Sequence, residues 1–568
     1  MLKTSNDQRK LLPNFDQLFA TTAQAPGGVA RLRELILTLA VQGRLVPQDA
    51  SDEPASELLK KIRMEKDRLI VEGKIKKDKP LAEIAEEEKP FELPVGWEWI
   101  RLGDLVRVLN GRAYKKQELL EEGPVPVLRV GNLFTSNHWY YSDLELDEDK
   151  YCSDGELIYS WSASFGPFIW SGPKAIYHYH IWKLDPWSLN NFDHEYLHHF
   201  LLDKTAEIKA AGHGISMAHM TKEKMEKLVV AYPPLAEQSR IVTRVEELMC
   251  LCDALEEKGR LEHTQHQQLL QALLDSLTQT QSAQELARHW QRLAQHFDLL
   301  IDRPEAVDAL EQTILQLAVR GLLVEQDAKD EPAIKLIRKI KEEKINIASK
   351  SKAKKSDRLD PKDFICEIPE KWVWTELQEV TLIGPENGLS PKPSNIETKY
   401  KCLMLTSTTS GEFKSGFYKY VDISEKEAES NYLKKNDLLI QRGNSIDYVG
   451  IAAIYNDQDD EFIYPDLMMR LRLSSQVDLK YVHLYLISKD GRSYFRSVAT
   501  GTQGNMPKVN QTAVNSAPIP LPPLAEQSRI VARVTELRAL CQQLREKLTQ
   551  ARSTQTQLAQ AWVEQAAA

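Results

Sequence analysis

The sequence contains an internal duplication, which constrains the fold more than any other feature. The segment YPPLAEQSRIVTRVEEL at 232–248 recurs as LPPLAEQSRIVARVTEL at 521–537. Two more segments recur in the same order, ILTLAVQGRLVPQDASDEPA at 36–55 as ILQLAVRGLLVEQDAKDEPA at 314–333, and ELPVGWEW at 92–99 as EIPEKWVW at 367–374. We call these repeated segments the frame. A solenoid shows many short periods, whereas two long copies, about 1–278 and 279–568, predict a pseudo-two-fold arrangement within one chain.

The stretches enclosed by the frame, roughly 100–231 and 375–520, scarcely match each other. We call them the first and second inserts. Each contains apolar runs of strand length, such as GELIYSW at 155–161 and DLLIQRG at 437–443, followed by a helical stretch. This alternation predicts an α+β fold for each insert. A frame that is kept while its inserts diverge indicates a protein that recognises two different targets.

A long helix without proline is predicted after each PPLAEQ segment. Apolar residues there alternate in steps of four and three, which is the seam of a coiled coil. In the second copy the predicted seam is Ile530, Val534, Leu537, Cys541, Leu544, Leu548, Ala551, Gln555, Leu558 and Trp562. In the first copy it is Ile241, Val245, Leu248, Cys252 and Leu255, interrupted at Gly259 and Glu262 and resumed at Leu269 and Leu273. We expect two helices on the order of 50 Å long, paired with each other rather than lying on separate domains.

Composition excludes several classes of protein. Hydrophobic residues make up 42% and charged residues 27%, which is typical of a globular chain. No apolar run is long enough to span a membrane, and the N-terminal residues lack a signal-peptide core, so we expect a cytoplasmic protein with no membrane contact. The six cysteines are scattered and form no CxxC, which indicates thiols in a reducing compartment. The net charge of −9 argues against binding nucleic acid by charge alone.

One short motif suggests zinc-dependent hydrolysis when it is taken alone. The residues at 194–198 spell HExxH, whose two imidazoles share one face of a helix. The second copy carries Leu479 and Lys480 where the first carries His194 and Glu195. The duplicated helix therefore folds without a metal pair, and we expect no metal site.

A second motif, formed by Asp466, Asp478 and Lys480, mimics the PD…(D/E)xK pattern of metal-dependent nucleases. Such tripeptides arise readily in a chain with 27% charged residues. The glycines at 411 and 416 have P-loop spacing but lack the following Lys-Ser/Thr. By elimination the chain carries no recognisable catalytic centre and looks like a recognition scaffold. A stand-alone metal-dependent nuclease or hydrolase is the alternative.

The segments LRELILTLAVQGRLVPQD, LPVGWEWIRLGDL and the doubled PPLAEQSRIV with its heptads resemble the specificity subunit of type I restriction-modification enzymes. The resemblance covers essentially the whole chain, in order and twice. It implies a non-catalytic DNA-specificity subunit whose two target recognition domains each read one half of a bipartite, asymmetric site. Two antiparallel coiled-coil helices would set the spacer and dock two methyltransferase subunits, joined by restriction/translocase subunits.

The resemblance also implies that this chain binds no cofactor itself. S-adenosylmethionine, ATP and Mg would be bound by the partner subunits. A second alternative is a coiled-coil adaptor that does not bind DNA.

The resemblance and the repeats together divide the chain into six segments. They are an N-terminal conserved helical region 1–90, target recognition domain 1 at 91–232, a central conserved coiled-coil helix 233–278, a second conserved helical region 279–366, target recognition domain 2 at 367–521 and a C-terminal conserved coiled-coil helix 522–568.

Candidate DNA-contacting residues are the polar, basic and glycine-flanked side chains of loops in the inserts, because such groups bond base edges and phosphates. In the first insert they are Arg112, Tyr114, Lys115, Lys116, Arg129, Asn132, Ser160, Ser162, Ser164 and His213. In the second they are Lys392, Thr406, Ser407, Thr408, Arg442, Asn444, Ser445, Gln503 and Asn505. Tryptophans 97, 99, 372 and 374 are expected in the core where each insert begins rather than as base-stacking platforms.

Overall fold

The computed structural model describes residues 15–75, 80–162, 164–211, 220–280, 283–348, 367–501 and 506–567. The chain forms two compact units, Met1–Glu262 with Ala551–Ala568, and His263–Gln550. We call them unit 1 and unit 2. Unit 1 contains the first insert and unit 2 contains the second.

Unit 1 begins with helices of the frame and continues into the first insert. Its helices are α1 Phe15–Gln24, α2 Gly28–Val41, α3 Ala55–Val71, α4 Leu102–Leu105, α5 Val130–Phe134, α6 His194–Ala211 and α7 Lys222–Glu226. Its strands are β1 Glu98–Arg101, β2 Val106–Asn110, β3 Val125–Leu128, β4 Tyr140–Ser142, β5 Tyr151–Cys152, β6 Leu157–Ser160, β7 Gly166–Ile169, β8 Ala175–Tyr177, β9 Ile181–Pro186 and β10 Val229–Tyr232.

The strands of the first insert form two four-stranded sheets and one two-stranded closure. The sheet orders are β2-β9-β6-β7 and β4-β3-β8-β5. Strand β1 pairs antiparallel with β10, joining Glu98 to Tyr232 and Arg101 to Val229. The strand that enters the insert therefore lies beside the strand that leaves it.

Strand β6 shows why its apolar run is continuous. All four of its residues are buried. Leu157 and Tyr159 share a core cluster with Phe200 of α6 and Leu58 of α3. Ile158, which points to the opposite face because side chains alternate along a strand, belongs to another cluster. Both faces of this sheet are thus covered.

The first long helix, α8 Leu235–Thr278, begins in unit 1 and ends in unit 2. The remaining helices of unit 2 are α9 Ala283–Gln295, α10 Phe297–Leu300, α11 Pro304–Val319, α12 Ala333–Ala348, α13 Leu377–Val380, α14 Glu425–Asn431, α15 Leu479–Ile487, α16 Lys489–Val498 and α17 Gln511–Asn515. The strands are β11 Val373–Glu376, β12 Thr381–Asn387, β13 Lys401–Leu403, β14 Tyr418–Tyr420, β15 Leu438–Gln441, β16 Ala452–Ile454, β17 Phe462–Ile463, β18 Met468–Leu473 and β19 Pro518–Leu521. The second long helix, α18 Leu524–Ala567, begins in unit 2 and ends in unit 1.

The second insert repeats the topology of the first, except that an isolated bridge between Tyr432 and Ile463 stands where β5 pairs with β8. Its sheets have the orders β12-β18-β15-β16 and β14-β13-β17, and β11 pairs antiparallel with β19. The parallel pair β13–β17 corresponds to the parallel pair β3–β8. The inserts therefore share an architecture although their sequences scarcely match.

The two long helices run antiparallel, as predicted. In unit 1, Ile241 near the start of α8 shares a core cluster with Ala566 near the end of α18. In unit 2, Leu277 near the end of α8 shares a cluster with Ile530 near the start of α18. Each helix has 44 residues. At 1.5 Å per residue that is about 66 Å, longer than the sequence suggested.

The predicted seam is correct in the first half of each long helix and displaced by one residue in the second half. Ala551 and Gln555 are exposed, and Ala559 is buried instead of Leu558. In α8, Leu270 is buried instead of Leu269. A straight helix drifts from a strict seven-residue repeat, and the middle of each helix is mainly polar, so few apolar residues hold the phase there.

The α+β fold with two long antiparallel helices is confirmed. Tryptophans 97 and 372 are buried, as expected, whereas tryptophans 99 and 374 are half-buried. Among the described residues, no helix combines the length and hydropathy needed to cross a membrane.

Candidate functional site

The repeated PPLAEQ segment forms a buried polar junction with the start of each insert. The Trp97 indole Nε1 donates to a carboxylate oxygen of Glu237 over 3.0 Å, and the Gln48 amide donates to the other oxygen over 3.1 Å. In unit 2 the Trp372 indole donates to Glu526 over 3.0 Å. We call these two networks the frame junctions.

Each frame junction is completed by contacts that also occur twice. The Arg240 guanidinium pairs with Asp52 over 2.6 Å, and Arg529 pairs with Asp330 over 2.6 Å. Burial raises the pKa of the carboxyl of Glu237 in unit 1, and does the same for Glu526 in unit 2. The duplicated sequence is thus explained by one bonding pattern used twice.

The HExxH segment belongs to this packing. Tyr196, inside the motif, donates its hydroxyl to the carbonyl of Ala231 over 2.7 Å, and Tyr481 does the same to Pro520 over 2.5 Å. Burial lowers the pKa of His198, which keeps the ring neutral near neutral pH. Within the described part of the chain, no cluster of three or more His, Cys, Asp or Glu side chains has the geometry to hold a metal.

The nuclease-like motif also has a structural role at its second carboxylate. Asp478 caps helix α15, since its side chain accepts a hydrogen bond from the backbone amide of Lys480 over 2.9 Å. Lys480 lies in the first turn of the helix that Asp478 caps, so the D-x-K spacing reflects the start of a helix.

The two inserts share a set of backbone hydrogen bonds between three loops at one end of a four-stranded sheet, β2-β9-β6-β7 in the first insert and β12-β18-β15-β16 in the second. In the first insert five backbone amides each donate to a carbonyl: Gly111 to Ile181, Arg112 to Tyr177, Tyr179 to Arg112, Trp161 to His180 and Ile181 to His178. In the second insert the five amides donate in the same order: Gly388 to Met468, Leu389 to Tyr464, Asp466 to Leu389, Arg442 to Leu467 and Met468 to Pro465. The five bonds correspond one to one. We call this arrangement the loop scaffold.

A glycine fixes the loop scaffold in each insert. A Cβ atom on Gly111 would lie 2.4 Å from the carbonyl oxygen of Tyr177, and on Gly388 it would lie 2.1 Å from that of Tyr464. Both distances are far below van der Waals contact, so only glycine fits. The two tyrosines are fully buried. The shared glycine and the shared buried tyrosine explain why the loop scaffold has the same backbone in both inserts.

Several predicted residues of the first insert lie beside the loop scaffold. The Arg112 guanidinium lies 5.4 Å from the ring centroid of Tyr114, and that ring lies 6.5 Å from the ring of His178. Burial, followed by the charges of His180 and Arg129, lowers the pKa of His178 to about 4. The predicted residues Lys115 and Lys116 are exposed on the same loop.

Other predicted residues of the first insert shape loops from within. The Asn132 amide accepts from the backbone of Arg129 over 3.1 Å and donates to the carbonyl of His138 over 2.8 Å. Ser160 is fully buried, and its hydroxyl donates to the carbonyl of Ser164 over 2.7 Å. The side chain of Ser164 is exposed, and that of Ser162 is half-buried.

In the second insert, Lys392, Thr406 and Ser445 are exposed. The neighbours Ser407 and Thr408 are fully buried, and their hydroxyls donate to the backbone carbonyls of Met404 and Leu405. These two hydroxyls therefore bond within the fold and do not face solvent.

Arg442 and Asn444 lie on the loop that follows strand β15. The Asn444 amide donates to the Gln441 side chain over 2.7 Å, so it is turned inward. Arg442 is half-buried, and its Nε has no hydrogen-bond partner among the residues that the structure describes. The three remaining predicted residues, His213, Gln503 and Asn505, lie outside the described residues.

Sequence reasoning missed the loop residues His178, Tyr179 and His180. The run AIYHYHIWKL at 175–184 has the pattern of one strand, but the structure ends β8 at Tyr177 and begins β9 at Ile181. The alternating aromatic and histidine residues between these strands were the available signal. They form a close cluster, with 3.9 Å between the ring centroids of Tyr179 and His180.

Comparison with known proteins gives a consistent result. The family model described as the type I restriction modification DNA specificity domain matches residues 94–263 and again 369–551. The specificity subunit of the Escherichia coli type I restriction enzyme EcoEI is 33% identical, over 94% of this chain and 93% of that protein. The EcoAI specificity subunit of E. coli is also 33% identical, with the same coverage. A solved chain of a type I R-M system has a TM-score of 0.48 at 16% identity, covering 84% of this chain and 99% of that chain.

Proposed function

Because the chain belongs to the type I restriction-modification DNA specificity family, we propose that its two inserts read the two halves of a bipartite, asymmetric DNA site. It is a specificity subunit, and recognition rather than catalysis is its role. Identical recognition modules in a dimer read a palindrome, whereas two different modules read two different half-sites.

One observation carries the proposal. The frame junctions repeat residue for residue, from the Trp97–Glu237 bond to the Trp372–Glu526 bond. The loop scaffold also repeats, but the side chains that it presents differ, with Trp161 in one insert where Arg442 stands in the other. A constant support that carries variable side chains is the arrangement expected of a module that reads sequence.

The proposed target recognition domains are residues 91–232 and 367–521. Support comes from the β1–β10 and β11–β19 pairs, which close each insert where it meets the frame. Within these domains we infer that DNA is contacted by the predicted residues whose side chains are exposed or half-buried and do not hold their own loops. They are Arg112, Tyr114, Lys115, Lys116, Arg129, Ser162, Ser164, Lys392, Thr406, Arg442 and Ser445. Asn132, Ser160, Ser407, Thr408 and Asn444 hold the loops.

We propose that the frame binds two methyltransferase subunits, one on each copy. Ser239 and Ser528 are identical and exposed at the starts of the long helices. The ion pair between Arg244 and Glu247, 2.8 Å long, recurs between the equivalent side chains on α18. Repeated residues on the exposed side of both long helices are what binding of the same partner at each copy would use.

The assignment of partners and cofactors follows from the family. Restriction/translocase subunits would join through the methyltransferase subunits. S-adenosylmethionine, ATP and Mg would be bound by these partners. Double-stranded DNA is the ligand of this chain itself.

The test is an exchange of one insert. Residues 100–231 are replaced by the corresponding insert of the EcoEI specificity subunit, and modified adenines are mapped in DNA from cells that also express the methyltransferase subunits. We expect one half of the site to change and the other half to stay. The matched control replaces residues 375–520, which should change only the other half. A change in both halves, or in neither, would overturn the two-module reading.

A further inference from the structure

The loop scaffold allows the two inserts to be compared position by position without sequence similarity. Its hydrogen bonds pair position 161 with 442, 179 with 466 and 180 with 467, because each residue makes the same backbone contact. Two anchors of the scaffold keep their identity, with glycine at 111 and 388 and a fully buried tyrosine at 177 and 464. The positions with at least partly exposed side chains do not. They are Arg112, Trp161, His178, Tyr179 and His180 in unit 1, and Leu389, Arg442, Pro465, Asp466 and Leu467 in unit 2.

In unit 1 the variable positions form an aromatic surface with cations beside it. The ring of Trp161 lies 5.1 Å from the ring of His180 and 6.1 Å from that of Tyr179. The Trp161 indole also donates to the Tyr179 carbonyl over 3.0 Å, which locks the two loops together. Tyr179 is 39% exposed.

The surroundings of this aromatic surface favour an anionic ligand. Burial lowers the pKa of His178, and the nearby His180 and Arg129 lower it further. Arg112 adds a second guanidinium, partly neutralised by Glu118 at 2.7 Å. In a DNA duplex the base faces are stacked, so an aromatic side chain makes apolar contact with a base edge while arginines pair with neighbouring phosphates.

In unit 2 the same positions are charged or aliphatic instead of aromatic. Arg442 takes the place of Trp161, and Asp466 takes the place of Tyr179. The Nε of Arg442 finds no protein acceptor among the described residues, although this atom is buried. That buried nitrogen does not face solvent, but the side chain of Arg442 is half-buried at a loop edge. The nitrogens of a guanidinium can pair with the two acceptors on the edge of guanine.

We propose, on the basis of the function proposed above, that the five variable positions of each loop scaffold determine which base pairs its half-site contains. Tyr179 is the main base-contacting side chain of unit 1, through apolar contact with a base edge such as a thymine methyl. Arg442 is that of unit 2, through paired hydrogen bonds to guanine. The backbone bonds hold these side chains at equivalent places.

The experiment uses the full chain in complex with its methyltransferase subunits, and selects binding sites from a random double-stranded DNA library. The variants are Tyr179→Ala, Arg442→Lys and Arg442→Ala, with Leu189→Ala as an exposed control outside the scaffold. The Arg442→Lys variant keeps the positive charge but cannot bond guanine in the same paired geometry. Thermal unfolding followed by circular dichroism establishes that each variant is folded.

The expected result is specific to one half-site per variant. Tyr179→Ala should relax the preference at one or two base pairs of one half and lower affinity for the selected site about 5- to 100-fold. Arg442→Lys should relax a guanine position in the other half, with a similar loss of discrimination. Leu189→Ala should leave both halves unchanged.

Two outcomes would overturn the inference. Uniformly weaker binding, with the selected sequences unchanged, would make these side chains phosphate contacts. No change in affinity or selected sequence would remove them from the interface. If the unaltered complex itself selects no sequence, the proposed function fails instead, so the two failures are distinguishable.

Discussion

The bond between Trp372 and Glu526 should be a major source of stability in unit 2. The carboxylate is 1% exposed and accepts from the Trp372 indole over 3.0 Å and from the Gln326 amide over 2.5 Å. The Trp372→Phe substitution removes the indole donor and leaves one carboxylate oxygen without it. Losing a hydrogen bond to a charged group costs about 1.5–3 kcal/mol, to which the smaller ring adds a packing loss.

A double-mutant cycle separates the bond from the packing. Trp372→Phe and Glu526→Gln are made singly and together, and urea unfolding is followed by far-ultraviolet circular dichroism. If the bond contributes as stated, the double variant should lose about 1–3 kcal/mol less stability than the sum of the losses of the two single variants. The equivalent Trp97→Phe supplies the matched control, because it should lower the stability of unit 1 by a similar amount.

Additive losses would refute this reasoning. Sites that do not interact add to within about 0.5 kcal/mol. A coupling of that size would mean that the indole–carboxylate bond contributes nothing beyond packing. The duplicated junction would then need another explanation.

Three further predictions concern the frame, the scaffold and the histidine motif. Burial raises the pKa of Glu526, so folding favours its protonated form. This contribution to stability is fully present below the ordinary carboxyl pKa and is lost as pH rises through the raised pKa. In urea unfolding, lowering the pH from 7 toward the ordinary carboxyl pKa should therefore stabilise the unaltered chain relative to Glu526→Gln. Gly111→Ala places a Cβ 2.4 Å from a carbonyl oxygen and should destabilise unit 1 by about 1–3 kcal/mol in thermal unfolding. The control is Gly259→Ala, on a helix with open space around it, which should stabilise the protein by about 0.5–1 kcal/mol in the same assay. His194→Leu installs the residue of the second copy and should leave DNA binding unchanged, with no zinc detected by metal analysis before or after; bound zinc in the unaltered chain would contradict this.

The repeats were readable from sequence because the frame junctions require particular residue types at a few positions of each short segment. The PPLAEQ segment places Glu237 beside Trp97 in a bonding pattern that tolerates few substitutions, so the identities persist in both copies. The α+β architecture also followed, since the buried runs of β6 and β15 keep their apolar character. Where packing requires a particular residue type, that requirement can be predicted from the sequence.

The register of the coiled-coil seam and the direction of the loop side chains could be predicted less well from the sequence, for physical reasons. Leu548 and Ala559 are separated by mainly polar residues, so the sequence does not fix the rotation of α18 between them. Ser407 and Thr408 look like typical groove-facing residues, but their hydroxyls are used by backbone carbonyls. Whether a loop hydroxyl faces inward depends on the tertiary path of the loop, which composition does not reveal.

The loop scaffold also limits how freely the two specificities can diverge. At four of its variable positions the shared hydrogen bonds use only backbone atoms that any residue except proline supplies, so side chains there can change without altering the support. The fifth position is different. The amide of His178 donates to the carbonyl of Leu128 over 2.9 Å, a bond that Pro465 cannot make at the equivalent place in unit 2. Exchange of side chains between the inserts should therefore preserve the fold at positions 112, 161, 179 and 180, whereas a proline at 178 would leave a buried carbonyl without its donor.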